Sequence, residues 1–373
     1  MAGFSFRAKQ ILKMLLQRVI LPISYHFWRG VYAFRKPDRI ILADAHHDAM
    51  PYSLSVLHKE LLKKGYPVTI HIRNYGKLST FHSALVAMGF MRLYAQAKCV
   101  FICDNFLPVV SCKKRKETKV IQLWHACGVM KKMGYDTQED IPAYYRGNVY
   151  RNYDLVTVSS PACVPALCSG MRLTPDIVKP IGVSRTDRFF DEEWVNARRA
   201  AFYSQYPQAK GKTVILWAPT FRGNAADPYL VGGEAIQSLE EQLGENYFVL
   251  RKVHPHLEDK LPGFSCPIPT EELLPVADLM ITDYSSIVYD FLFFKKPFVL
   301  FSPDYDRYEV ARGTYIPWDS ITPYTSIEDS TLHSAVASAL EDKDGAWIEA
   351  CFKKYLSACD GQSTQRILEF AGL

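Results

Sequence analysis

The segment Gln122-Leu123-Trp124-His125-Ala126-Cys127-Gly128 follows directly on a strand-like apolar run and puts an imidazole on a strand-end loop. A histidine so placed can take or give a proton near neutral pH. Four other stretches share the placement. Gly182-Val183-Ser184-Arg185-Thr186-Asp187 is a glycine turn presenting an arginine suited to phosphate. Ala218-Pro219-Thr220-Phe221-Arg222 sets hydroxyl and backbone donors after a strand, and Arg251-Lys252-Val253-His254-Pro255 ends a strand in a second histidine among cations. Asp283-Tyr284-Ser285-Ser286 follows a strand and opens a helix that Ser285 or Ser286 would cap. The free N–H groups and positive dipole end of such a helix make a phosphate site, and Asp290, one turn further in, can point the same way. Taken singly, each stretch has an ordinary reading: a core histidine, a surface Arg–Asp pair, a turn, a helix cap. Taken together, all five fall at strand ends, where open α/β sheets bind their ligands.

The elements that must position these residues alternate along the chain. Strands are expected over 39–45, 68–72, 99–103, 120–123, 154–159 and 178–181, the last ending at Gly182, with helices over 52–64 and 81–97 and one opened by Pro161. A second cycle predicts strands over 213–217, 247–253, 279–282 and 298–301, helices over 234–243, 271–276 and 287–294, and a mostly helical tail from Thr331 to Leu373. This pattern implies an α/β fold of two Rossmann-like domains facing a cleft, each a parallel sheet covered on both faces. The domain reading is an amphipathic segment over 1–36, a first α/β domain over 37–188 and a second, with the helical tail, over 189–373.

The first 36 residues differ from the rest. Ile11, Leu12, Leu15, Leu16, Val19, Ile20 and Leu21 form an apolar set, Pro22 is expected to break it, and a second amphipathic stretch carries Tyr25, Phe27, Trp28, Val31, Tyr32 and Phe34 between cations. Neither run has the ~20 clean apolar residues needed to cross a bilayer. Aromatics mixed with cations suit the headgroup zone, so an in-plane contact with an anionic membrane surface is expected; the alternative is a helix pair packed on the body of the protein.

Composition narrows the function. The 373 residues are 48% hydrophobic, and a net charge of +5 is too mild to argue for a nucleic-acid partner while fitting an anionic substrate. Nine cysteines follow no disulfide or zinc spacing and read as reduced, buried thiols of a cytosolic protein. There is no phosphate-binding Gly-x-x-x-x-Gly-Lys loop, no Gly-x-Gly-x-x-Gly after the first strand and no Gly-x-Ser-x-Gly elbow. His46-His47-Asp48 looks metal-like, but adjacent loop histidines point apart, so neither a metal nor another cofactor is expected.

The stretches, in this order, resemble the CDP-glycerol glycerophosphotransferase family, which includes the teichoic acid primases and polymerases. The matching residues are Trp124-His125, Arg151-Asn152-Tyr153-Asp154 through Ser159-Ser160, Gly182 to Asp187, Ala218 to Arg222 and His254-Pro255. The run Ile281 to Ser286, continuing through Tyr289-Asp290-Phe291, Lys296-Pro297, Tyr308 and Arg312-Gly313, is the most specific. The resemblance implies a glycosyltransferase-B-type fold and transfer of glycerol phosphate from CDP-glycerol to an acceptor hydroxyl with release of CMP. It implies His125 and His254 as catalytic residues. It also implies donor contacts from Ala126, Cys127, Gly128, Val129, Arg185, Pro219, Thr220, Lys252, Val253, Ser285, Ser286 and Asp290. Ala126 stands where the family often has glycine and Ser184 where proline usually precedes the arginine.

On this reading the acceptor is a polyprenyl-diphosphate-linked glycan, and the enzyme is peripheral on the cytoplasmic face of the cell membrane. A neutral histidine takes the acceptor's proton while cations hold the diphosphate charge; which of the two histidines is the base stays open. CDP-ribitol transfer, sugar transfer from a nucleotide donor, and a catalytically silent scaffold are the competing readings. The scaffold is the weakest, since it has no reason to keep titratable groups along a cleft.

Overall fold

The computed structural model describes residues 10–224, 227–253 and 266–373. The chain forms two compact units: the first comprises the residues up to His125 with Met133–Arg188 and Ala358–Leu373, the second Ala126–Lys132 and Phe189–Ser357. The chain therefore passes between units after His125, Lys132, Arg188 and Ser357.

The first unit holds a six-stranded parallel sheet in the order β2-β1-β3-β4-β5-β6. Its strands are β1 (Arg39–Asp44), β2 (Val68–Ile72), β3 (Ala97–Ile102), β4 (Lys119–Gln122), β5 (Leu155–Thr157) and β6 (Val178–Lys179). Cys99 to Ile102 and Val120 to Gln122 are buried throughout, as expected of strands covered on both faces. The helix Tyr52–Lys63 buries Leu54, Leu57 and Leu61, one stripe at helical spacing, and Gly65 at φ +76° ends it. Those leucines pack with Leu42, Phe101, Ile121 and Leu155, and with Ile367, Leu368 and Ala371 of the last helix, Ser363–Ala371. The sequence reading assigns that tail to the second half of the chain. The structure places Ala358–Leu373 with the first unit, because the apolar stripe of that helix completes this core, and keeps residues 331–357 with the second.

The second unit repeats the plan with a five-stranded parallel sheet in the order β10-β7-β11-β12-β13. Its strands are β7 (Thr213–Trp217), β10 (Tyr247–Arg251), β11 (Leu279–Thr282), β12 (Phe298–Phe301) and β13 (Thr325–Ser326), and β8 (Arg222–Asn224) pairs with β9 (Asp227–Tyr229) as a separate hairpin. Ile215, Trp217, Ile281 and Val299 meet Ile236 and Leu239 of the helix Gly233–Leu243 and Val336 of the helix Leu332–Glu341. In each sheet the strand order reverses once, between β1 and β3 in the first and between β7 and β11 in the second. In such sheets the reversal opens a crevice outside the carboxyl ends of the strands.

Pro22 does not break the N-terminal run. Residues 10–31 are continuously helical, with a π-turn over Leu16–Ile20 and an α-helix over Leu21–Val31 that carries the proline in its first turn. The π-turn shifts the hydrogen-bond pattern just before the residue that lacks a donor. One face packs on the body: Leu21 and Tyr25 are fully buried, the Tyr25 ring lies tilted against that of Tyr94, and Ser24 Oγ donates to Met88 O at 3.4 Å. Leu12, Leu15, Val19, Ile23, Phe27, Val31 and Phe34, three or four apart, are exposed, Phe34 completely. Among the described residues no helix is long and apolar enough to cross a membrane.

Candidate functional site

His125 leaves β4 through a strained step. Trp124 adopts φ +60°, a left-handed conformation costly for a bulky residue, and its N–H donates to Gln122 Oε1 at 3.0 Å. The fully buried Gln122 also donates through Nε2 to Asp104 O at 3.1 Å, so one amide ties the loop after β4 to the loop after β3. The His125 ring packs against Trp124 at 4.4 Å between centroids. Its Nδ1 lies 3.1 Å from Cys103 O and 3.8 Å from an Asp104 carboxylate oxygen. A carbonyl oxygen only accepts, so in the neutral ring Nδ1 carries the proton and Nε2 presents a lone pair. That is the tautomer a general base needs, on a side chain 46% exposed.

Arg185 belongs to the same constellation in a different way from a surface phosphate ligand. It is buried, and Nη1 donates to His125 O at 2.6 Å, fixing the histidine's backbone. Gly182 allows the turn: it sits at φ +88°, and a Cβ there would fall 2.4 Å from Ala358 O. Asp187 serves the last helix. Its two oxygens accept from Ser363 N at 3.0 Å and Thr364 N at 2.6 Å, capping the last helix across the sequence. Ser184 Oγ is hydrogen-bonded to Thr364 Oγ1 at 2.8 Å, so the departure at this position serves the helix contact.

In the second unit the loops after β7 and β11 meet at the reversal point. Thr220 N donates to Asp283 Oδ1 at 2.9 Å, and Arg222 Nη1 to Asp283 Oδ2 at 2.8 Å. Arg222 also grips Asp304 with two bonds, at 2.7 and 2.8 Å, beside the stacked rings of Tyr284 and Tyr308, 3.6 Å apart. Burial works against the guanidinium's charge, but Asp304 and Asp283 outweigh it and hold Arg222 above its ordinary value. The sequence sets hydroxyl and backbone donors in this turn, open to an anion or to an ordinary turn. The Thr220 amide and the Arg222 side chain instead brace the loops, leaving Pro219 and the partly buried Thr220 side chain at the rim. Asp304 carried no sequence signal, because it pairs with Arg222 only through the fold.

Ser286 is the residue before the helix Ile287–Phe291, and its hydroxyl makes no capping bond; Ser285 Oγ accepts from Ile287 N at 3.4 Å. The α-helical part is five residues long and continues as a 3₁₀ turn over Leu292–Phe294. Asp290 is fully buried on it. Val129 O accepts from the Tyr289 hydroxyl at 2.6 Å, and Cys127 and Val129 turn their side chains inward, leaving Ala126 and Gly128 partly exposed. Just after strand β10, Lys252 is buried with Nζ donating to Cys266 O at 2.5 Å, and Val253 is buried beside it. His254 lies outside the described residues. The first unit thus brings His125 and Arg185 together, and the second brings Pro219, Thr220, Ser285 and Ser286 to adjoining strand ends. All nine cysteines are free thiols.

The family model described as CDP-glycerol:poly(glycerophosphate) glycerophosphotransferase matches residues 27–371. The chain is 28% identical over 363 residues to the teichoic acid ribitol-phosphate primase of Bacillus spizizenii, covering 89% of this chain and 90% of that one. It is 30% identical over 288 residues to the teichoic acid glycerol-phosphate primase of Bacillus subtilis, covering 73% and 72%. Among solved structures it superposes on the wall teichoic acid polymerase TagF with a TM-score of 0.72 at 19% identity, over 98% of this chain and 97% of that one.

Proposed function

Since this chain belongs to the CDP-glycerol:poly(glycerophosphate) glycerophosphotransferase family, that of the teichoic acid primases and polymerases, we propose that it transfers glycerol phosphate from CDP-glycerol to a hydroxyl of a lipid-linked glycan or polyol-phosphate acceptor. The acceptor oxygen attacks the glycerol-bearing phosphorus and a new P–O bond forms. The phosphoanhydride bond to CMP breaks, and CMP leaves with its electron pair. The acceptor's proton goes to His125 Nε2. Charge on the donor's phosphates is met by the hydroxyls of Thr220, Ser285 and Ser286, beside the turn at Pro219, with His254 as the second imidazole. The observation that carries this reading is the His125 ring, whose bonded Nδ1 leaves Nε2 free to act as base.

The similarity to ribitol-phosphate primases supports CDP-ribitol as a second donor reading. Labelled CDP-glycerol, CDP-ribitol and nucleotide sugars, each offered with a lipid-linked disaccharide and followed by CMP release, separate these readings. His125→Ala should lose about 10²–10⁴ in turnover with unchanged folding; wild-type turnover by that variant would remove the histidine from the role of base.

The same reading puts the enzyme on the cytoplasmic face of the membrane as a peripheral protein, where a polyprenyl-linked acceptor resides. What supports this is the exposed apolar row from Leu12 to Phe34 with Arg18, Arg29, Arg35 and Lys36 along it.

A further inference from the structure

The strand reversal of the first sheet lies between β1 and β3, and of these two strand ends the transfer chemistry described so far draws only on that of β3, which holds the His125 ring. At the carboxyl end of β1, the buried Asp44 accepts three hydrogen bonds on Oδ2: from His46 N at 2.8 Å, His47 N at 2.7 Å and the His47 ring at Nδ1, 3.0 Å away. Burial would raise the Asp44 carboxyl, but the bonds from His47 and the two backbone N–H groups hold it below its ordinary value. The bond to Asp44 holds His47 above its own, against desolvation. His46 turns away, with Nε2 3.0 Å from Asn105 O, so the two adjacent histidines do not converge on one ion. His47 is half-exposed, with Nδ1 committed to Asp44 and Nε2 left to face a ligand.

The dyad is physically joined to His125. Cys103, at the end of β3, receives the His125 Nδ1 bond on its carbonyl and places Sγ 3.9 Å from Asp44 Oδ1. Strands β1, β3 and β4 are consecutive neighbours, so His47 and His125 leave strands about 10 Å apart, two strand spacings. The charges around His47 favour its protonated ring, in which Nε2–H is a donor for an anion. Asp48 is neutralised by Lys77 at 2.6 Å, and Asp44 by His47 itself. Asp104 adds its charge to those of Asp44 and Asp48 in favouring the protonated His47 ring, and Arg188, bonded to Ser55 Oγ at 3.0 Å with its guanidinium 4.7 Å from the Tyr52 ring centre, supplies a cation to the same unit.

Resting on the function proposed above, we propose that His47, oriented by Asp44, is an acceptor-binding residue whose Nε2–H holds a phosphate of the acceptor at the β1/β3 crevice. The acceptor hydroxyl is thereby presented to His125. The phosphate is either the diphosphate of the lipid link or a phosphodiester of an already primed acceptor, since both offer the same oxygens.

The test uses the full chain with His47→Gln and Asp44→Asn, each first shown to melt as a folded protein. Acceptor KM should rise about tenfold to hundredfold, the loss of one charge-assisted hydrogen bond, while donor KM stays within twofold. Comparison of an unprimed lipid-linked disaccharide with a glycerophosphate-primed one tells which phosphate is held. Independently of transfer, the His47 ring signal in NMR, identified by its loss in His47→Gln, should shift on titration with a glycerophosphodiester and fail to shift in Asp44→Asn. An unmoved His47 signal, or equal rises in donor and acceptor KM, overturns the assignment. Absence of wild-type turnover on every CDP-alcohol instead sinks the function reading, with the NMR arm still deciding this one.

Discussion

Gly128 lies beneath the ring of Tyr289: a Cβ on the glycine would fall 2.3 Å from the ring carbons, and the same tyrosine hydroxyl donates to Val129 O at 2.6 Å. Helix 287–291 and the segment after His125 are therefore fitted to each other by one absent side chain and one phenol. With φ at +62°, Gly128 is excluded from substitution both by backbone conformation and by space.

Gly128→Ala should destabilise the protein by more than ~1 kcal/mol and depress transfer. Tyr289→Phe, which leaves the Val129 carbonyl without its donor, should cost about 1–3 kcal/mol. Thermal melts and CMP release check both. A fully active, equally stable Gly128→Ala would show that the segment has room the structure does not give it.

Arg222 offers a sharper contrast between bracing and binding. Its side chain and that of Asp283 are almost fully buried, so Arg222→Met strands two carboxylates and should cost about 3–5 kcal/mol. Were the arginine instead a donor ligand, the variant would melt normally and show a raised KM for the CDP-alcohol.

The exposed row on the N-terminal helix can be tested without touching its packed face. Ile23→Ser, Phe27→Ser and Phe34→Ser together should abolish sedimentation with anionic vesicles and leave the melting temperature within a degree or two, because these side chains are 65%, 62% and 105% exposed. Removing residues 1–36 entirely is a poorer test, since it also takes Leu21 and Tyr25 out of the core. Undiminished vesicle binding by the triple variant would count against the membrane reading.

His71 gives a pH signature. Burial, helped by Arg73, lowers its ring from 6.5 to about 4, against Phe90 and Phe106 and 3.0 Å from the Tyr75 hydroxyl. Between those values the unfolded chain binds a proton that the folded one refuses, so stability falls as pH drops from 6.5 towards 4. Denaturant titrations of His71→Phe should show a flatter dependence over that window. An identical slope in the variant would mean that His71 is not the group responsible.

Much of this molecule is legible in its sequence. The strands carry dense apolar runs, and Tyr52–Lys63 writes its buried stripe at 54, 57 and 61. The strand-end loops also stand out, because Trp124-His125 and Asp283-Tyr284-Ser285-Ser286 break those runs with polar groups. What escaped is long-range pairing: Arg222 with Asp304, and Asp187 with the N–H groups of Ser363 and Thr364. Local spacing reports which side chains share a turn. It does not report which distant loops the sheet order brings side by side, and here that order decides which charges are spent on architecture. The π-turn before Pro22 escaped for a related reason, since a proline normally signals an ending and only the following packing shows a continuation.

The helix Ser363–Ala371, held by Asp187 and seated among the leucines of the first sheet, also sets a timetable. During synthesis the earliest strands emerge long before the residues that seal them, so Leu42, Leu54 and Phe101 wait with an open flank until Ile367 and Leu368 leave the ribosome. The second unit, made of an almost continuous later stretch, can close while the first is still unfinished.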